Sequence, residues 1–281
     1  MKNDTLASPA FPVEVLFAVV KRILVLVIVP LLLLAGWQCA VSLGWWPRTL
    51  IASPLEVLVD LSKMTWSGEL VAHARVSLGR LLGGFFLGTI FAITLGTFVG
   101  LSKTGERMVA PTLQALTPIP PTAWIPLLII LFGIEELSKT ALITIGAFGV
   151  VYFNTVQGSR GADQKLVEVA ETLQKPQRDL VVYVLLPSAA PSILTGMRVA
   201  LSLSWILLIA AEMVGAKMVS ASSRVEGLGL GWLIYDARNF SRPDDMIVGM
   251  IAIGLLGKGS DMVMAWLEHR LLQWREAFRG V

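Results

Sequence analysis

Of the 281 residues, 55% are apolar and only 15% charged, where a soluble domain carries about a quarter charged residues, so a water-facing globule is excluded. The net charge of +3 is too small to argue for a nucleic-acid partner, and a lone Cys39 rules out an internal disulfide and a thiolate metal cluster. His73 and His269 stand far apart without neighbouring ligands at metal spacing, so both are expected to be solvated or interfacial and no metal site is predicted.

A crossing helix needs about 20 mainly apolar residues, and six stretches reach that length: Ile23–Leu43, Leu78–Leu101, Val109–Phe132, Leu137–Gly158, Ile193–Val214 and Met246–Trp266. The expected fold is an all-α membrane protein with six spans. The first stretch, behind Lys21 and Arg22, is too long for a signal-peptide core and lacks a small-residue cleavage site, so it is expected to stay as an anchor. Lys and Arg in the loops favour both termini on the cytoplasmic side, twelve basic residues against nine, because cytoplasmic loops are enriched in them. The chain then divides into an inner N-terminal segment (1–22), the first span with an outer-surface helix (23–77), a core (78–266) with a charged loop at 161–187, and an inner amphipathic tail (267–281). The outer helix is announced by Ser53-Pro54, a capping residue followed by proline at the first helical position.

In the charged loop, Leu166, Val169, Ala170 and Leu173 recur at helical spacing among Lys165, Glu168 and Glu171. Pro176 is expected to stop or bend this helix, and a second short run, Asp179–Leu186, ends at Pro187. Two readings fit: an amphipathic segment on the headgroups, or a knob that docks into another protein.

Ionisable groups inside a span cost about 2.5 to 3.5 kcal/mol each at mid-depth and are functional candidates by default. Arg198, Ser202, Trp205, Ile209 and Glu212 follow at steps of four and three, a stripe down one helix face. One reading lines a pathway with it, Arg198 attracting an anion and Glu212 positioning it. The other ties both charges to headgroups or neighbouring helices. Asn154 either bridges helices or faces a pore. Pro118, Pro120, Pro121 and Pro126 remove helix donors from the third span, so bends are expected there, beside a cavity or as a static kink. Gly254 to Gly259 around Lys258 superficially suggests a phosphate loop, but Ala252 and Gly259 occupy positions where that motif requires glycine and a hydroxyl residue. The glycine-rich stretch 215–243 is too polar to face lipid, and the tail from Leu267 to Arg275, with Trp274, suits the inner interface.

Glu168-Val169-Ala170, followed by Val184 and Leu186-Pro187, resembles the "EAA" loop of ABC importer permeases, with Gln174 where that pattern has glycine. Pro176 is therefore expected to supply the break that glycine would allow. The run from Thr117 to Pro126, Phe132-Gly133-Ile134, Asn154-Thr155, Thr195-Gly196-Met197-Arg198, Ala210-Ala211-Glu212-Met213 and Gly227 to Trp232 is similar to the nitrate, sulfonate, taurine and bicarbonate branch of that family. The similarity covers about 53–257.

The resemblance implies a type I ABC importer permease fold in a bacterial inner membrane, and a chain that is itself no enzyme and binds no cofactor. Two copies would form the pore. Two cytoplasmic ATPase subunits, carrying ATP and Mg, would bind the coupling residues Leu166, Glu168, Val169, Ala170, Leu173, Gln174, Lys175 and Pro176. An external binding protein would deliver a small anion: taurine or another sulfonate, nitrate or bicarbonate. Trp124, Asn154, Arg198, Ser202, Trp205 and Glu212 are the implied pathway set, and Trp232, Tyr235 and Asp236 the implied outer gate. The alternative, an ATP-independent secondary transporter or channel, would have no use for a projecting Glu168 loop and would more often show repeated halves. A membrane enzyme would need paired acids, a histidine cluster or a nucleophile with its base, and none stands at reachable spacing.

Overall fold

The computed structural model describes residues 13–47, 49–161, 168–170, 172–216 and 228–272, without the side chains of 13–26, 177, 215 and 216. All regular structure among them is helical. Helix α1 is Val13–Ser42 and α2 is Pro54–Trp66. The start of α2 follows from its capping box: Ser53 Oγ accepts from Glu56 N, and the Glu56 carboxylate accepts from Ser53 N at 2.8 Å. After the left-handed Gly68, α3 runs Glu69–Leu101, then α4 Lys103–Leu116, a 3-10 turn Pro121–Trp124, α5 Ile125–Phe132 and α6 Glu136–Arg160. A short helical turn Gln177–Leu180 and a π-helical stretch Val181–Leu185 lead into α7, Leu186–Ala216. Helices α8 (Leu230–Asn239) and α9 (Pro243–Leu271) complete the order.

Four of these helices are long and apolar enough to cross a membrane: α3, α6, the segment Arg178–Val214 that contains α7, and α9. The bends expected over Val109–Phe132 take the form of one break between α4 and the Pro121–Phe132 segment, an angle of 87°. Thr117, Ile119 and Pro120 each precede a proline, which pushes backbone out of the α region, and Pro120 is extended at ψ 137°. Among the described residues the count is four such helices plus one bent pair, and the described apolar part of α1 is Val27–Ser42. Helix α3 also starts upstream of the expected Leu78, because its first turns, polar in sequence, are buried against other helices.

Helices α3 and α6 run parallel and close together. Gly84, Gly88, Ala92, Gly96 and Gly100 recur every four residues on α3, the small-residue pattern that lets helix backbones approach in lipid. A Cβ on Gly88 would lie 2.6 Å from the Thr144 carbonyl oxygen, and one on Gly96 would lie 2.8 Å from Thr155 Cβ. Helix α7 packs antiparallel on α6, with Gly158 beneath Ser192, Gly196 beneath Asn154, and Leu207 over Gly146. Leu81, Phe85, Ile143, Tyr152, Trp205 and Leu208 form the main core, and Val57, Met64, Leu230, Leu233 and Val248 a second one under α2. The bundle thus has a loop end, where α6 finishes and α7 approaches, and a far end holding Glu69, Glu136, α8 and the start of α9.

Candidate translocation and coupling sites

At the loop end, Glu168-Val169-Ala170 is helical, and the chain closes it with bonds from Leu173 N to the Val169 carbonyl and from Lys175 N to the Ala170 carbonyl, 3.0 and 3.1 Å. A six-to-one bond of this kind marks a Schellman ending, whose left-handed residue is Gln174 at φ 50°. This corrects the expectation that Pro176 makes the break. Gln174 adopts the glycine conformation itself, and Pro176 opens the next turn by accepting from Asp179 N and Leu180 N. Val169 and Leu173 are 55% and 65% exposed, so the turn presents apolar side chains that no described residue covers. Lys175 and Pro176 are also exposed; Leu166 lies outside the described residues.

The far end holds a buried ion cluster. His73, Ser77 and Arg80 share one face of α3 at steps of four and three. All three are buried, so His73 is neither solvated nor interfacial as expected. Arg80 donates from Nη1 to Glu212 Oε1 on α7 at 2.7 Å and to the Leu228 carbonyl at 2.8 Å, and forks onto the Glu136 carboxylate of α6. Glu212, 1% exposed, also accepts from Ser77 Oγ at 2.8 Å and from Gly231 N at 2.8 Å. Ser77 Oγ in turn accepts from Leu230 N at 2.8 Å, and His73 Nδ1 lies 3.2 Å from Gly229 N. One carboxylate and one guanidinium thereby clamp the turn entering α8 to α3, α6 and α7. The turn demands glycine: at Gly229, φ is 112° and a Cβ would stand 2.3 Å from Glu212 Oε1.

The three gate candidates sit on α8 beside this clamp. The Trp232 ring stacks on His73 at 5.7 Å, Asp236 accepts from Arg242 at 2.6 Å, and Tyr235 is half-buried. The clamp residues Ser77, Arg80 and Glu136 were not among the sequence candidates. Their signal was an arginine two residues inside an apolar run with hydroxyl and imidazole one and two turns before it.

The stripe on α7 is brought together with α9 over its lower half. Arg198 makes a two-point pairing with Asp261 and lies 3.8 Å from Glu268. Trp205, 6% exposed, donates from Nε1 to Ser260 Oγ at 3.0 Å. Ser202 between them stays exposed, its hydroxyl bonded to the Arg198 carbonyl. Asn154 donates to the Val150 carbonyl of its own helix and packs over Gly196. Trp124 lies apart, at the bend between α4 and α5, where it joins Leu128, Leu142 and Leu207 and lines a cavity of about 980 Å³ with Phe91, Phe98, Leu113, Phe148 and Tyr152. No charged side chain lines that cavity among the described residues.

Residues 84–273 match the family model "Binding-protein-dependent transport system inner membrane component". The putative aliphatic sulfonates transport permease protein SsuC of Escherichia coli (strain K12) is 37% identical over 249 residues, 89% of this chain and 91% of that protein. Its namesake from Bacillus subtilis (strain 168) is 36% identical over 253 residues, 90% and 88% of the two chains. Among solved structures, the inward-facing MetNI methionine ABC transporter matches with TM-score 0.62 at 17% identity, over 74% of this chain and 98% of that one, a likeness of fold. The helical content, the long apolar helices and these relatives together identify a multi-pass inner-membrane protein, and the chain belongs to the inner-membrane permease family of binding-protein-dependent ABC transporters.

Proposed function

We propose that this permease is one half of the pore of an ATP-driven importer for aliphatic sulfonates, delivered by an external binding protein. The relatives at 36% and 37% identity, which span nearly the whole chain, support the substrate class. The turn Glu168 to Gln174 is the docking point for the ATPase. The observation that carries this is its uncovered Val169 and Leu173 on a helical turn whose ending is rigidly bonded, since an exposed apolar knob at the bundle end calls for a partner surface.

Six crossings with both termini on the ATPase side fit the geometry. Helix α1 is about 45 Å long at 1.5 Å per residue, and the bent pair connects the loop end, where Glu106 meets Arg160 at 2.9 Å, with the far end at Glu136. Arg198 and Ser202 face the passage. Trp205, Asn154 and Glu212 brace it, and Trp124 shapes the wall where α4 turns into α5. Trp232, Tyr235 and Asp236 close the outer side on α8.

The deciding experiment reconstitutes the permease with its ATPase and binding protein in liposomes and follows uptake of an alkanesulfonate. Glu168→Lys is expected to abolish ATP-dependent uptake and release the ATPase while membrane insertion stays normal. Normal uptake by that variant would overturn the docking assignment.

A further inference from the structure

Lys258 lies twelve residues after Met246 and eight before Trp266 in α9, about 18 Å and 12 Å from those levels at 1.5 Å per residue. If the expected span Met246–Trp266 marks the hydrocarbon, a four-carbon stem does not carry the ammonium to either edge. Its side chain is nevertheless 69% exposed, on a face where an added Cβ at Gly254 or Gly259 would meet nothing within 4 Å. Among the described residues its partner is Asp261, at 3.2 Å, and that carboxylate is already held at two points by Arg198. Two cations therefore share Asp261 inside the expected span, Glu268 stands 3.8 Å from Arg198, and Lys258 is the more exposed of the two cations. Hydrocarbon does not accept such a surface, so this face meets water or protein.

We propose that Lys258, backed by Arg198, is an oxyanion site on the wall of the passage, where a sulfonate headgroup replaces Asp261 as the partner of the Lys258 ammonium. This rests on the reading of the chain as an anion permease. Asp261 is the resident counter-ion. It keeps the site neutral enough when empty for a passing anion to be released again.

The test uses the complete transporter in liposomes, with Cys39→Ser removing this chain's one thiol. Lys258→Cys in that background is treated with two water-soluble methanethiosulfonates, one bearing a sulfonate and one a trimethylammonium, with and without nucleotide. Each rate is divided by that of a free thiol. The sulfonate reagent is expected to be favoured about tenfold, as a cationic cleft concentrates anions, and an alkanesulfonate is expected to slow it. In parallel, Lys258→Met is expected to lower uptake about tenfold with assembly intact, and Lys258→Arg to retain it. Failure of both reagents to react, preference for the cationic one, unchanged uptake by Lys258→Met, or loss of assembly in that variant would each overturn the site. If the intact transporter takes up no alkanesulfonate while the anionic reagent is still favoured, the substrate class falls and the oxyanion site stands.

Discussion

Arg80 holds two carboxylates whose surroundings differ, and removing each in turn separates the worth of burial from the worth of charge. The Arg80 and Glu212 side chains are 6% and 0% exposed, whereas Glu136 is 64% exposed. Breaking a buried pair from one side leaves an uncompensated charge and costs about 3–5 kcal/mol; losing an exposed pair costs roughly 1 kcal/mol or less. Arg80→Leu is therefore expected to shift the folded-to-unfolded ratio of the detergent-solubilised permease by about 100-fold or more, since about 1.4 kcal/mol is tenfold, and Glu136→Gln by less than about tenfold. Arg80→Leu combined with Glu212→Leu is expected to recover most of the loss, because no buried charge then remains. The assay is denaturant or thermal unfolding followed by Trp fluorescence, with Trp232 on His73 reporting the clamp locally. Equal effects of Arg80→Leu and Glu136→Gln, or a double variant worse than either single one, would refute the reasoning.

Two further outcomes test the packing and the loop. Gly96→Val is expected to cost about 1–3 kcal/mol by overpacking against Thr155, whereas Gly79→Val, with nothing within 4 Å of its Cβ, is expected to be neutral in the same unfolding assay. Gln174→Gly is expected to relieve about 1 kcal/mol of left-handed strain and to slow amide hydrogen exchange at Lys175, whose N–H bonds the Ala170 carbonyl; faster exchange there would count against the Schellman ending.

The hydropathy pattern locates α3, α6, α7 and α9 because each is long enough for lipid to dictate its composition. It misses the first turns of α3 for the same reason: His73, Ser77 and Arg80 meet Glu212 and the α8 turn instead of lipid, and a window average cannot register partners more than 130 residues away. The prolines of the third span reveal lost donors but carry no angle, so the bend was legible and its 87° was not. Gln174 looked like a departure from the glycine pattern, yet the backbone kept the glycine conformation, which a residue identity alone does not disclose. In the α7 stripe the spacing was legible, but Asp261 and Ser260, which occupy Arg198 and Trp205, come from another helix.

The segment Arg178–Val214 is one continuous 37-residue rod, about 55 Å long at 1.5 Å per residue. Its lower tip adjoins the exposed Glu168 turn, and its upper part carries Glu212. The π-helical stretch Val181–Leu185 and Pro191 lie in its lower part, and from there α7 runs on to Glu212 and the Arg80 clasp. Under the proposed docking at the Glu168 turn, the same helix that meets the partner also carries the carboxylate that anchors α8.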